Sequence, residues 1–113
     1  MYNSEPERSG KTYKFIGPNR LYITINKDSA GVIREVFINC ASSGSSVRSL
    51  CEALGKLLSI ALQHNKELLN RIIKSFENDL SESFWHNKQF SGPAKSIPDA
   101  ISKVLKLELE DLK

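Results

Sequence analysis

The stretch EVFINCASSGSSVRSLCEALGKLLSIAL, Glu35 to Leu62, joins a strand, a loop of small residues and a long apolar helix. Its first part alternates. Val36, Ile38 and Cys40 fall on one side, and Glu35, Phe37 and Asn39 on the other, which is the period of two that a half-buried strand requires. Its last part changes period: Val47, Leu50, Cys51, Leu54, Leu57, Leu58, Ala61 and Leu62 recur at helical spacing, with Arg48, Glu52, Lys56 and Gln63 opposite them. This predicts a helix with one broad core face. Ala53 and Ile60 widen the apolar surface beyond a single stripe, so burial against two layers is expected, such as a sheet and a second helix or a neighbouring subunit. Gly55 interrupts the helix at a cost of about 1 kcal/mol relative to alanine, and predicts a close approach by another backbone.

Working outward, Lys11 to Ile16 alternates with Tyr13 and Phe15 on one side, and Leu21, Ile23 and Ile25 alternate in a second strand. The turn Gly17-Pro18-Asn19-Arg20 separates these two, and Lys27 to Gly31 separates the second from Val32 to Cys40. Three strands joined by short turns predict an antiparallel meander. Beyond the central helix, Lys66 to Asn78 restarts a helical pattern with Leu68, Leu69, Ile72, Ile73 and Phe76 on one face. Asp79 to Ala94 reads as a long loop held by Phe84, Trp85 and Phe90. Ser96-Ile97-Pro98-Asp99 opens a third helix, with Ser96 as cap, Asp99 returning a bond to it and Pro98 in the first turn. The fold class is therefore α+β: a three-stranded antiparallel β-meander followed by helices packed on the sheet. In domain terms, residues 1–10 form a polar arm, 11–105 a single domain and 106–113 the helix end and tail.

Composition limits the function classes. A chain of 113 residues with 40% hydrophobic content is long enough for one self-supporting core. Sixteen basic and thirteen acidic residues give a net charge of +3, dispersed along the chain, so nucleic acid is not expected as a partner. Two cysteines without an apolar leader point to a reducing cytoplasm. No apolar run approaches the roughly 18 residues of a membrane span.

The order of Gly10-Lys11-Thr12-Tyr13-Lys14, LYITIN, EVFIN, a small-residue loop, LCEALGKLLSIAL and Ser96-Ile97-Pro98-Asp99-Ala100-Ile101 resembles the TSCPD domain. That family includes the C-terminal appendage of cobalamin-dependent ribonucleotide reductases and free-standing small proteins. The resemblance runs from Gly10 to Leu105. It departs from the family pattern at Ile97, which stands where the family name has cysteine, at the cysteine-free turn Gly17-Pro18-Asn19, and at Ala41-Ser42-Ser43-Gly44, which lacks the family's lysine. Neither a thiol role nor a lysine–phosphate contact is carried over.

Few residue sets carry chemistry. Ser42, Ser43, Gly44, Ser45 and Ser46, with Arg48, read either as a capped helix entry or as an anion site built from backbone N–H groups, hydroxyls and the helix dipole. Trp85 reads either as a loop anchor or as a stacking surface for a ring. Cys40 and Cys51 sit on apolar faces as packing residues, and His64 and His86 show no ligand spacing near them, so neither a metal nor a cofactor is expected. No serine–histidine–acid set and no phosphate-binding glycine loop is present.

The expectation is a binding protein, not an enzyme. The resemblance implies an accessory domain of cobalamin-dependent ribonucleotide reduction, acting through a nucleotide or through the reductase large subunit. The alternative is a free-standing, phage-encoded homo-oligomer that sequesters a nucleotide-like, phosphate-bearing signal between the serine loop and Trp85.

Overall fold

Alternation along the first forty residues produces three strands: β1 (Ser9–Ile16), β2 (Arg20–Lys27) and β3 (Ile33–Ala41). The structure, a computed structural model, describes residues 9–41, 44–65 and 67–110. The strands pair antiparallel in the order β1-β2-β3, with Tyr13 opposite Ile23 and Ile23 opposite Ile38. This is the expected meander. β1 starts at Ser9, so Ser9 and Gly10 pair with Lys27 and Asn26 and are not part of an arm; the rest of the expected arm lies outside the described residues. The β2–β3 turn is organised by Asp28, whose carboxylate accepts the N–H groups of Ala30 and Val32 at 2.9 and 3.0 Å and Nε of Arg34 at 2.8 Å. Gly31, at φ 83°, supplies the left-handed residue that the turn needs.

Three helices follow: α1 (Ser45–His64), α2 (Leu68–Phe76) and α3 (Ile97–Glu110). Tyr13, Phe15, Leu21, Ile23, Ile25, Val36, Ile38 and Cys40 form the inner face of the sheet and are buried, together with Ile101, Val104 and Leu105 of α3 and Ile73 of α2. Glu108 of α3 is buried against that face, accepting a hydrogen bond from the Tyr13 hydroxyl and pairing with Lys27 Nζ at 2.7 Å. The third helix therefore packs well past Leu105 and does not unravel into a tail there. Residues 111–113 lie outside the described residues.

The central helix departs most from expectation. Cys51, Leu58 and Leu62 are buried, but Val47, Leu50 and Leu57 are exposed, so the predicted single core face divides in two. The reason is its position along the outer edge of β3, with only one flank toward the core. Gly55 is where the helix touches that strand: a Cβ there would lie 2.9 Å from the Val36 carbonyl oxygen and 3.2 Å from the Ile38 nitrogen. The close approach read from the sequence is present. Gln63 also donates to the Arg34 carbonyl at 3.0 Å. At the opposite edge, Ile16 and His86 exchange backbone bonds at 2.9 and 2.8 Å, and the Asn87 amide donates to the Lys14 carbonyl at 2.9 Å. Both sheet edges are thus partly covered by the chain's own residues.

Candidate functional site

Serine and aspartate three residues apart dictate the start of α3. Ser96 Oγ accepts the Asp99 N–H at 3.0 Å, as a capping serine should. Asp99 does not return a bond to Ser96. Its carboxylate accepts the N–H of Lys95 at 2.8 Å and that of Asn78 at 2.8 Å. Asn78 follows α2 with φ 65°, a left-handed conformation that asparagine tolerates, and this turns the chain toward α3. Asp99 is 1% exposed, and its two charge-assisted bonds offset the cost of burying a carboxylate. One buried acid therefore ties the end of α2 to the start of α3.

Beside this junction lies a cleft of about 230 Å³ whose lining includes Glu77, Asn78, Phe90, Ser102, Lys103 and Lys106. Phe90 forms a fixed wall, because its ring stacks on Phe15 with centroids 5.6 Å apart and planes 17° apart. Lys106 Nζ pairs with Glu77 at 2.6 Å, whereas Lys103 pairs with no carboxylate among the described residues. The Ser102 hydroxyl donates to the Asp99 carbonyl oxygen at 2.7 Å. The volume falls below the roughly 300–1,000 Å³ of drug-sized ligand sites; a small anionic group fits it better than a whole nucleotide. No spacing in the sequence links Asn78, Phe90 and Lys103; only the folded chain brings them to one cleft.

A family model for the TSCPD domain matches residues 2–109. The chain belongs to the TSCPD domain family. No curated protein and no solved structure matches it. The matched span includes Ser96–Asp99. In this TSCPD domain Ser96 and Asp99 are buried, while Ile97 is half-buried against the core.

The serine loop of this TSCPD domain is described only in part. Ser42, Ser43 and the Ser45 side chain lie outside the described residues. Gly44 is the N-cap of α1, with φ −59° and ψ 158°, so among the described residues the cap position expected for a serine is held by a glycine. Gly44 faces open space, and Ser46 and Arg48 are exposed. Trp85 is 5% exposed. Its ring covers Gly17, where a Cβ would lie 2.7 Å from it, and its backbone pairs with Ala94 at 2.9 and 2.8 Å. Trp85 lines a separate cleft with Ser81, Ser83 and Ile97; Gly44, Ser46 and Arg48 are not among that cleft's lining residues. Phe90 anchors the long loop beside Trp85, whereas Phe84, expected to hold it too, is 52% exposed.

Cys40 and Cys51 are buried thiols, 1% and 5% exposed, as packing residues should be. Burial, followed by neighbouring Cys40 and Glu52, pushes the Cys51 thiol up. Among the described residues no group of three His, Cys, Asp or Glu is placed to hold a metal, and no helix is long and apolar enough to cross a membrane.

Proposed function

We propose that this TSCPD domain is a non-catalytic binding module that docks on the large subunit of a cobalamin-dependent ribonucleotide reductase through the outer face of α1. The observation that carries the reading is the stripe Val47, Leu50, Leu57 and Ile60, which are 43%, 70%, 63% and 56% exposed. These side chains extend over about 20 Å of helix. An apolar band of that length on a helix whose other flank is core is the feature expected of a protein contact surface. The family resemblance supplies the class of partner. The test is sedimentation of the purified chain with a reductase large subunit that lacks its own TSCPD appendage. A complex is expected, and it is lost in Leu50→Glu/Leu57→Glu. No complex at roughly 100 µM overturns the reading. A larger species formed by the chain alone, and lost in the same variant, assigns the stripe to a second copy instead.

The cleft beside Asp99 favours a second reading. In it the domain is a phage-encoded homo-oligomer that sequesters a nucleotide-like signal, of which only the phosphate enters the cleft, beside Lys103 and Lys106. Native mass spectrometry of protein taken directly from lysate tests it. A bound phosphate-bearing molecule that is lost in Lys103→Gln/Lys106→Gln supports the reading, and ligand-free protein removes it.

A further inference from the structure

Helices and the long loop pack on the Tyr13–Ile23–Ile38 face of the sheet, and α1 lies along the β3 edge. The other face has no described helix over it. Register places its side chains in rows: Thr12, Thr24 and Phe37 across the middle, then Lys14, Tyr22 and Asn39, then Ile16, Arg20 and Ala41. Phe37 is 50% exposed, and Tyr22 is half-buried on the neighbouring strand, diagonal to it. Diagonal neighbours in an antiparallel pair lie roughly 7–8 Å apart, which leaves both rings available side by side on one surface. Lys14 stands directly opposite Tyr22, and Arg20 is the next residue outward on that face. Both cations are exposed, and neither pairs with a carboxylate among the described residues. The acid on this face, Glu35, is at the far end of the sheet and accepts a hydrogen bond from Asn26 at 3.1 Å.

We infer that the open face of the β-sheet binds single-stranded nucleic acid, with Tyr22 and Phe37 stacking on successive bases and Lys14 and Arg20 contacting phosphates. The composition decides against an apolar protein layer, which would bury Lys14, Asn39 and the Thr12–Thr24 hydroxyl pair without enough partners. A nucleic acid strand gives each of them one: phosphate for the cations and base edges for the amide and hydroxyls. The surface is flat, so it suits an extended strand better than a free mononucleotide, which needs an enclosing pocket. An antiparallel sheet with two aromatic side chains on its open face is a known solution for holding two or three unstacked bases. Dispersed charge in the sequence argued against nucleic acid; the register collects Lys14 and Arg20, six positions apart, onto one face. This site is distinct from the α1 stripe and does not depend on the docking reading.

The test is fluorescence anisotropy of labelled RNA and DNA of about ten nucleotides titrated with the whole chain, with duplex of the same sequence and with ATP as competitors. Saturable single-strand binding is expected, with duplex and ATP competing at least tenfold less well. Phe37→Leu keeps an apolar side chain but no ring; it and Tyr22→Ala are each expected to weaken binding roughly fivefold or more, with melting temperatures unchanged for Phe37→Leu. Lys14→Gln and Arg20→Gln are each expected to flatten the slope of log affinity against log salt by about 0.7. Absence of binding at roughly 100 µM protein, equal binding by Phe37→Leu, or ATP competing as well as the strand overturns the inference.

Discussion

Ser59 of α1 accepts the outward-facing N–H of Val36 in β3 at 2.9 Å. A helix side chain thereby takes up a hydrogen-bonding position that a fourth strand would otherwise use, and Gly55, one turn earlier, allows the approach. Gly55→Val is expected to destabilise by about 2–3 kcal/mol, because the atoms it meets are strand backbone and cannot swing aside. Ser59→Ala leaves the Val36 N–H without its acceptor and should cost about 1–2 kcal/mol. Urea unfolding measures both. A Gly55→Ala variant that gains the roughly 1 kcal/mol expected of helix propensity alone would show that the contact is slack.

Asp99 holds two backbone N–H groups from either side of the α2–α3 connection. Asp99→Ala should lose about 3–5 kcal/mol, since hydrogen bonds to a charged group contribute about 1.5–3 kcal/mol each. At Asn78 the demand is conformational, so Asn78→Gly should be near neutral and Asn78→Ala should cost about 1 kcal/mol. Equal stability of the two Asn78 variants in calorimetry would contradict the left-handed assignment.

Glu108 gives the fold an acid-sensitive contact. Burial by itself raises its carboxyl, but hydrogen bonds from Lys27 and Tyr13 and the charges of Lys27 and Lys11 outweigh it, and the net direction is down. A carboxyl lowered in the folded state contributes stability that is fully present above its unfolded pKa of about 4.3. That stability is lost as pH falls from there through the folded value. Unfolding free energy should therefore drop below about pH 4.3, and Glu108→Gln should be less stable at pH 7 with a flatter acid limb. An unchanged acid limb in the variant would assign the loss to other groups.

Cys40 and Cys51 should react with a thiol-specific disulfide reagent only as fast as the chain opens, since both are buried and the Cys51 thiol is raised. Changing both to alanine should weaken the fold modestly and leave binding intact. Rapid labelling of native protein would mean that the β3–α1 contact opens locally.

Leu50 and Leu57 lie in a core-like helical pattern but are exposed, so Leu50→Ser/Leu57→Ser should change unfolding free energy by only about 0.5 kcal/mol each. A loss of several kcal/mol in a dilute monomer would place these side chains in the core after all.

The sequence by itself determined the strands, the meander, the helices in order and the family. Period-two alternation at Tyr13, Ile23 and Ile38 and helical spacing in Cys51, Leu58 and Leu62 are local properties, and short turns restrict how consecutive strands can pair. Gly55 was legible for the same reason, because a glycine inside a strong helix signals something close by. Tertiary structure alone decided which apolar residues of α1 face water: Leu50 and Leu58 satisfy the same spacing rule, and only the helix's seat on the β3 edge separates them. It also decided that Asp99 serves Asn78 and Lys95 rather than Ser96, that Trp85 covers Gly17, and that Lys14, Arg20, Tyr22 and Phe37 share one open surface. Each of these depends on pairing between distant segments, a geometry that periodicity within one segment does not contain.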